Sequence, residues 1–456
     1  MVISIFESIF GYFSRSSLFW VTLRFYGILN TLSFKNFMEP IVPPNRHSHT
    51  KKVFLYVFPV LFLLFAGIGL YLHFTYPTTS FLVSGRYMLS NLGHSHAQMQ
   101  KDVVGFLPYW NLDNSKYLHF DLLSEVFFFS LTADENGQII KIVNNETDPG
   151  WRWWSSPTIQ NLIAKTQITG AKFGLTIAMH KNKTLESFLD NPSAQKTLIS
   201  NLIRIVESDK IDGLNLDFEY DGEPDDEYRL KFTSFAKDLT STFRTQSPKT
   251  ELSIDFFPLS VENPRLYDVA SLAPLFDKVI VMSYDYYSGS SDLAGPVAPI
   301  FGYIASPSAD QTSYFFDVNT TYNDYLKVVP KEKLIMGVPY YGWDYPVEDN
   351  TTILSKVLPQ NDQNGYPEVI SYGRARTNTD LKTENCQWDD TAKATWCAYT
   401  DSNKIQREVW LEDNKSIEIK FDFAKTNNLG GIAIWTLGYD KDYPDLWNLI
   451  KNYFTK

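Results

Sequence analysis

The stretch DGLNLDFEY, residues 212–220, determines how the whole sequence is interpreted. Polar and apolar residues alternate along it with the two-residue period of a β-strand, which predicts a strand over 213–219. The two faces of that strand carry Asn215, Asp217 and Glu219 on one side and Leu214, Leu216 and Phe218 on the other. Three polar residues on one buried face cost stability unless they serve a function.

The two carboxyl groups on the polar face suggest acid–base chemistry. Asp217 and Glu219 would lie about 7 Å apart along the strand, close enough for their charges to interact. A carboxyl group beside a carboxylate and under apolar cover has a raised pKa and can act as a general acid. An acidic strand end in solvent is the simpler alternative. A calcium-binding loop is excluded because its twelfth position is Tyr228 rather than Glu.

Short apolar runs alternate with longer amphipathic segments from residue 101 onward, which is typical of repeated β/α units. The predicted strands are 103–107, 125–131, 172–178, 213–219, 251–256, 278–284, 333–339 and 431–436. Predicted helices include 194–208 and 225–242. This α/β pattern predicts a (β/α)₈ TIM barrel, with Glu219 at the end of its strand where barrel chemistry occurs. An open doubly wound sheet is disfavoured, because no glycine-rich nucleotide turn follows the first strand.

The gap between the last two predicted strands is too long for one helix. We therefore predict a small β-containing insertion over 345–420, with hairpin strands near 397–401 and 407–413. Cys386 and Cys397 both lie in this insertion. A disulfide and two free thiols are both compatible with the sequence, because the geometry that decides between them is not visible in it.

Charge is distributed unevenly along the 456 residues, whose formal net charge is −11. Residues 1–52 carry six Lys or Arg and two Glu, a balance of +4, and residues 53–100 carry Arg86 and no acid. Residues 101–456 therefore carry the remaining −16. An acidic main domain is a poor candidate for nucleic-acid binding, which needs clustered Lys and Arg.

The change in charge coincides with an apolar run, VFLYVFPVLFLLFAGIGLYL, at 53–72. About 20 such residues span a bilayer as a helix, so we predict a transmembrane helix over 53–74 and a linker over 75–100. The positive residues lie before the run, which predicts a cytoplasmic segment at 1–52 and an extracytoplasmic domain at 101–456. Cleavage of the run as a signal peptide, and a start at Met38, are open alternatives.

Five motifs in this order resemble those of glycoside hydrolase family 18, the chitinase-like barrels. They are VVGFLPYW (103–110), DGLNLDFE (212–219), MSYDYY (282–287), GVPYYGWDY (337–345) and GIAIWTLGYD (431–440). The insertion, with WDDTAKATW (388–396) and REVWLED (407–413), is similar to the branch of spore-cortex and peptidoglycan-fragment hydrolases. The resemblance covers most of residues 101–456.

The resemblance implies a retaining, substrate-assisted glycosidase that acts on β-1,4-linked N-acetylglucosamine polymers, of the chitin or the peptidoglycan type. Glu219 would be the general acid, and Asp217 would orient the 2-acetamido group of the substrate. Tyr284 would donate its hydroxyl to the acetamido carbonyl. Trp435 would form the floor of the sugar subsite.

Three further residues, Asn215, Asp285 and Tyr109, are expected to bind substrate, and Tyr109 and Asp285 match the family pattern less specifically. Tyr109 and Asp285 would line the substrate site. Asn215 stands where the family has an Asp that shares a proton with the residue corresponding to Asp217; an Asn can hydrogen-bond Asp217 but cannot take its charge. His180 receives no functional role and is expected in a structural or rim position.

The sequence predicts neither a cofactor nor a metal, because no Cys/His cluster has ligand spacing and no cofactor motif occurs in it. A non-catalytic lectin on the same barrel is the alternative function, and a membrane-tethered scaffold is a weaker one. By the same resemblance, lectins of this family lack the acid Glu, whereas Glu219 is present. The expected partners are therefore an N-acetylglucosamine-containing saccharide and, through the N-terminal helix, a membrane.

Overall fold

The structure is a computed structural model that describes residues 97–303 and 317–456. The strands of these residues are, in chain order, β1 (Asp102–Pro108), β2 (Glu125–Thr132), β3 (Ile142–Val143), β4 (Glu146–Thr147), β5 (Lys172–Met179), β6 (Gly213–Phe218), β7 (Glu251–Phe256), β8 (Lys278–Val281), β9 (Leu334–Pro339), β10 (Tyr341–Pro346), β11 (Glu368–Ser371), β12 (Cys386–Asp389), β13 (Ala394–Thr400), β14 (Gln406–Leu411) and β15 (Gly431–Trp435). The α-helices are α1 (Pro149–Trp154), α2 (Pro157–Ile168), α3 (Asn182–Leu189), α4 (Pro192–Asp209), α5 (Asp226–Gln246), α6 (Val269–Leu272), α7 (Val318–Val328), α8 (Tyr372–Ala375), α9 (Asn414–Thr426) and α10 (Asp445–Phe454). Short 3₁₀ helices cover Tyr109–Tyr117, Phe120–Leu122, Ala273–Leu275 and Thr383–Asn385.

Eight parallel strands close into a barrel in the order β1, β2, β5, β6, β7, β8, β9 and β15, and β15 pairs with β1. The predicted TIM barrel is therefore confirmed. Parallel strands place their carboxyl ends at one end of the barrel, which is where active sites of this fold lie.

The barrel wall separates two apolar clusters. Val104 and Phe106 of β1 belong to a small cluster together with residues of other barrel strands, whereas Val103 and Leu107 belong to the large cluster that includes the surrounding helices. In β6, Phe218 faces the helices and stacks on Phe235 of α5 at 5.8 Å. Alternate residues of the strands thus face the barrel interior, as the sequence pattern predicts.

Capping residues begin several of the outer helices. The side chain of Asn191 accepts hydrogen bonds from the backbone N–H groups of Ser193 and Ala194, and Pro192 occupies the first turn of α4. Asp413 in the same way accepts from the N–H of Ser416 at the start of α9. These caps satisfy backbone donors that have no partner within the helix, so each helix starts at a defined residue behind its strand.

The opposite, N-terminal end of the barrel contains a buried charge network. Lys278 at the start of β8 contacts Glu125 at 2.8 Å, Glu251 at shorter range and Asp102 at 3.6 Å. Glu251 also pairs with Lys172, which is half exposed. Because these residues begin five of the barrel strands, the network closes the barrel at the end away from the candidate site.

A second, antiparallel sheet of five strands, in the order β11, β10, β14, β13 and β12, occupies the chain between β9 and β15. It runs from Tyr341 to Leu411, whereas the sequence predicts an insertion over 345–420. The end of that prediction needs correction because Lys420 lies in α9, whose Ile417 and Phe421 pack in the barrel's main core. A disulfide joins Cys386 to Cys397 across β12 and β13.

Two other predicted boundaries differ from the structure. The predicted linker over 75–100 ends too late, because Gln100 donates its backbone N–H to Phe454 and Met99 pairs with Thr455. The predicted strand 278–284 ends too late, because β8 stops at Val281. There the chain turns: the N–H of Ser283 donates to the carbonyl of Val281, and the hydroxyl of Ser283 donates to the carbonyl of Gly337 at 2.8 Å.

The predicted transmembrane helix over 53–74 and the cytoplasmic segment over 1–52 lie outside the described residues. Within 97–303 and 317–456, we find no helix with both the length and the apolar character needed to cross a bilayer.

Candidate active site

Strand β6 positions the two predicted carboxyl groups at the carboxyl end of the barrel. Asn215 and Asp217 point inward and are 0% and 1% exposed. Glu219 lies just beyond the last residue of β6, and its backbone N–H donates to the carbonyl of Met179 at 3.0 Å. The side chain of Glu219 keeps about a third of its surface, 32%, accessible to solvent. It is therefore held by the barrel wall and still open to a substrate.

His180, which directly follows β5, joins both carboxyl groups. Its Nε2 lies 2.9 Å from Oδ2 of Asp217 and 3.5 Å from Oε1 of Glu219. One atom from each of the three side chains lies within 4.8 Å of the other two. His180 thus brings one imidazole and two carboxyl groups together at the carboxyl end of the barrel.

The electrostatics of the cluster suit proton transfer. Burial and the charges of Asp217 and Asp285 raise the pKa of Glu219, the charge of His180 opposes the rise, and the net result is a pKa of about 7. For His180, burial lowers the pKa, but its hydrogen bond to Asp217 and the charges of Asp217 and Glu219 outweigh burial and raise it to about 9. At neutral pH the site thus contains a protonated imidazole, that of His180, and a carboxyl group, that of Glu219, which is near the midpoint of its titration.

Asn215 does not make the hydrogen bond to Asp217 that the sequence suggests. Its amide nitrogen donates to Oγ of Ser253 at 3.1 Å and to Oδ1 of Asp255 at 2.8 Å, both on the neighbouring strand β7. Since an amide has two N–H donors, both are used. Asn215 is completely buried, so the structure places it behind the site rather than at a surface that a substrate reaches.

Asp255 forms a third carboxyl group in the interior. Burial and the charge of Asp217 raise its pKa well above the ordinary value, although the hydrogen bond from Asn215 opposes the rise. Asp255 therefore tends to hold its proton beside Asp217, as one member of two close carboxyl groups does.

Tyr284 and Trp435 lie side by side, with ring centroids 6.5 Å apart and planes inclined by 19°. Burial, together with the charges of Asp255, Asp217, Asp285 and Glu219, raises the pKa of Tyr284 well above 10. Its hydroxyl therefore stays protonated and can donate a hydrogen bond. Trp435, at the end of β15, packs edge-on against Phe129 at 4.6 Å and remains partly accessible.

A residue of the five-stranded sheet holds the side chain of Asp285 in position. The indole N–H of Trp343, on β10, donates to its Oδ1 at 3.0 Å. Asp285 has a φ of +55°, a left-handed conformation that Asp adopts more readily than most residues. Burial raises the pKa of Asp285, and the hydrogen bonds with Trp343 and Tyr341 oppose that rise.

Tyr109 begins the 3₁₀ helix after β1 and packs edge-on against Trp110 at 4.9 Å. Trp110 is 52% exposed and also contacts Phe129 edge-on at 6.1 Å, so aromatic rings extend from Trp435 toward solvent. Flat aromatic surfaces of this kind suit stacking with apolar faces of a ligand.

The model of the glycosyl hydrolases family 18 matches residues 102–440, which include the whole barrel and the five-stranded sheet. The chain belongs to this family. It is accordingly a glycoside hydrolase, and the resemblance drawn from its motifs is confirmed.

Two curated proteins are similar over more than half of the chain. The cortical fragment-lytic enzyme of Bacillus subtilis (strain 168) is 25% identical over 335 residues, which are 72% of this chain and 67% of that enzyme. The di-N-acetylchitobiase of Homo sapiens is 25% identical over 300 residues, which are 61% of this chain and 73% of that protein. Among solved structures, a Group IV chitinase of Ostrinia furnacalis in complex with allosamidin superposes with a TM-score of 0.66 at 20% identity, over 77% of this chain and 98% of that one.

Three residues of this family 18 site were not predicted. Asp255 had a signal, because Ser253 and Asp255 are polar at alternate positions of an apolar strand, like Asn215 and Asp217. No signal in the sequence marks His180 or Trp343, since a single His after a strand and a single Trp in a motif are more often structural. Their roles depend on contacts between elements distant in sequence.

Proposed function

We propose that this glycoside hydrolase cleaves β-1,4 linkages of an N-acetylglucosamine-containing polysaccharide, of the chitin or peptidoglycan type, by a retaining, substrate-assisted mechanism. The observation that carries the proposal is Glu219, a half-buried carboxyl group with a pKa raised to about 7 beside the buried Asp217. The names of the relatives, a cortical fragment-lytic enzyme and a di-N-acetylchitobiase, support this class of substrate.

In the first step, the protonated Glu219 gives its proton to the glycosidic oxygen as the bond to the anomeric carbon breaks. The carbonyl oxygen of the substrate's own 2-acetamido group attacks that carbon from the opposite side and forms an oxazolinium ring. Asp217 accepts the acetamido N–H and stabilises the positive charge that develops there. Because the nucleophile belongs to the substrate, one protein acid suffices where most retaining enzymes need two carboxyl groups.

In the second step, Glu219 is a carboxylate and takes a proton from water as the water attacks the anomeric carbon. The oxazolinium ring opens, and Glu219 regains its proton. Two displacements at one carbon give a product with the configuration of the substrate. A carboxyl group with a pKa near the working pH serves well as acid in one step and base in the other.

The other residues of the site would hold the sugar. Tyr284, protonated at neutral pH, donates to the acetamido carbonyl oxygen, and Trp435 forms the floor under the sugar ring. Asp285 and Tyr109 line the site, with Asp285 oriented by Trp343.

The test is product analysis with the full chain on chitooligosaccharides and on purified peptidoglycan, for the wild type and for Glu219→Gln. Glu348→Gln, on an exposed loop of the insertion, serves as the matched control. We expect the wild type and the control to cleave at least one substrate and Glu219→Gln to lose about 10²–10⁴-fold in rate. Equal turnover by the wild type and Glu219→Gln would contradict the mechanism, and saccharide binding without turnover would favour a lectin.

We also propose that the enzyme is anchored in a membrane by residues 53–74, with residues 1–52 in the cytoplasm and the barrel outside. The uncharged run at 53–72 and the Lys and Arg before it support this arrangement. We expect carbonate-washed membranes to retain the full chain and external protease to reach the barrel in intact cells. Release of the full chain by carbonate would contradict the anchor.

A further inference from the structure

We propose that His180 is the positioning residue of this active site. Its imidazolium holds one oxygen of Asp217 and so orients that carboxylate, and it supplies the positive charge that lets Asp217 and Glu219 lie together. This inference rests on the proposed substrate-assisted mechanism. It goes beyond that mechanism because it concerns how Asp217 is oriented before the substrate arrives.

The two oxygens of Asp217 have different surroundings. Oδ2 lies 2.9 Å from Nε2 of His180, whereas Oδ1 is buried and has no hydrogen-bond partner among the described residues. A buried carboxylate oxygen without a donor is costly unless a ligand supplies one. Among the described residues, the contact with His180 is therefore the hydrogen bond that fixes the orientation of the Asp217 carboxylate.

Asn215 offers Asp217 no substitute for His180. Asn215, which stands where the family has an Asp, gives both of its amide N–H groups to Ser253 and Asp255. Asn215 also has no proton or charge to exchange with Asp217. The hydrogen bond that Asn215 does not give to Asp217 comes instead from His180, on the open side of the site.

His180 also acts on the general acid. The charges that face Glu219 come from Asp217 on β6, His180 after β5 and Asp285 after β8, and among these only His180 is a cation. The charges that face His180 itself are those of Asp217 and Glu219. Loss of the imidazolium should therefore raise the pKa of Glu219 and extend the protonated, active form to higher pH.

The experiment compares His180→Gln and His180→Ala with the wild type in the full chain, using pH profiles of kcat/KM on a chitooligosaccharide. Glutamine keeps an N–H donor without the charge, and alanine removes both. We expect the alkaline limb to move up by about one pH unit in both variants. We expect kcat at the optimum to fall about tenfold further in His180→Ala, because Asp217 loses its donor. An alkaline limb at the wild-type pH in both variants would overturn the proposal.

A second readout needs no activity and so separates this proposal from the proposed function. The imidazole of His180 is followed by NMR in histidine-labelled full chain and assigned with His180→Gln. We expect its titration well above that of a free histidine, near pH 9, and a downward shift in Asp217→Asn. A titration near pH 6.5 that Asp217→Asn leaves unchanged would overturn the role of His180 even in an active enzyme. An inactive wild type with the expected titration would instead refute the proposed function.

Discussion

At the scale of a single residue, Asn215 shows how the barrel interior accommodates the buried acids Asp217 and Asp255. It is completely buried next to Asp217, and its amide satisfies Ser253 and Asp255 on the adjacent strand. An Asp at this position would place a third carboxyl group among Asp217 and Asp255 and would offer no N–H donor. The chain therefore tolerates the amide here because it gains two hydrogen bonds and avoids a buried charge.

We expect Asn215→Asp to destabilise the protein by about 1–3 kcal/mol, because buried acceptors lose their donors. The new carboxyl group has a raised pKa in the folded protein, since burial and two neighbouring carboxyl groups oppose its charge. The folded state then binds more protons than the unfolded state, so stability is lost as pH rises above about 4. Urea unfolding at pH 4 and pH 7 should therefore show that the variant loses more free energy of unfolding, relative to the wild type, at pH 7.

Asn448→Asp, at an exposed position of α10, is the matched control and should change stability by no more than about 0.5 kcal/mol at either pH. An Asn215→Asp deficit that shrinks between pH 4 and pH 7 would contradict the electrostatic explanation.

The residues of the site differ in how well the sequence predicts them. Asp217 and Glu219 could be predicted because strand alternation alone places them on the inner face at the active end. Asp255 carries the same signal on the next strand and could have been found. His180 could not, because its role arises from a 2.9 Å contact with Asp217 of β6, which lies 37 positions away in the sequence.

At the scale of elements, the five-stranded sheet and the barrel meet at Asp285. Strand β10 follows β9 after Tyr340 alone, so Trp343 lies close to the barrel mouth. Its indole fixes Asp285, which has left the barrel wall after β8 ends at Val281. The sequence predicts a longer strand here because Met282 and Tyr284 continue the apolar run of β8. The turn at Ser283 depends on a hydrogen bond to Gly337, 54 residues away.

We expect Trp343→Phe to fold normally and to lower kcat/KM several-fold, because Asp285 loses the donor that orients it and its pKa rises further. Trp388→Phe in β12 is the matched control, since that indole donates to the exposed Asp390 within its own hairpin. Steady-state kinetics on a chitooligosaccharide distinguish the two variants. Equal kcat/KM for both would show that the contact between sheet and barrel has no effect on the reaction.

At the scale of the whole molecule, the two ends of the barrel use charge differently. The carboxyl end holds Glu219 partly open to solvent, whereas the other end buries Lys278 among Glu125, Glu251 and Asp102. Burial raises the pKa of Glu125 to about 7, and the charge of Lys278 opposes the rise. The stability of this network therefore depends on the buried cation Lys278.

We expect Lys278→Met to cost about 3–5 kcal/mol, because it leaves buried carboxylates without their partner. The pKa of Glu125, ordinarily 4.5, is already raised in the folded protein, so its contribution to stability falls as pH rises from 4.5 toward 7. Without Lys278 this loss of stability grows. The free energy of unfolding of Lys278→Met should therefore fall further below that of the wild type at pH 8 than at pH 5. Urea unfolding measures it.

Lys356→Met removes an exposed ion pair with Glu348 and should change stability by no more than about 0.5 kcal/mol. A deficit for Lys278→Met no larger than that of this control would show that the network does not hold the barrel closed.

The barrel could be predicted from the sequence because each of its strands is a short, nearly continuous apolar run whose period is local. The edges of the insertion could not, because β10 continues the motif of β9 and α9 belongs to the barrel although it follows the inserted sheet. The charge network was also missed. Glu125, Glu251 and Lys278 stand singly at strand starts, where each one alone would normally be a solvated residue.

The anomeric configuration of the first product tests the central claim most directly. Proton NMR during hydrolysis of a chitooligosaccharide by the full chain resolves the α and β reducing ends before they interconvert. A substrate-assisted reaction at Glu219 and Asp217 predicts that the β anomer accumulates first, with the configuration of the cleaved linkage. Accumulation of the α anomer first would mean a single displacement by water and would contradict the mechanism.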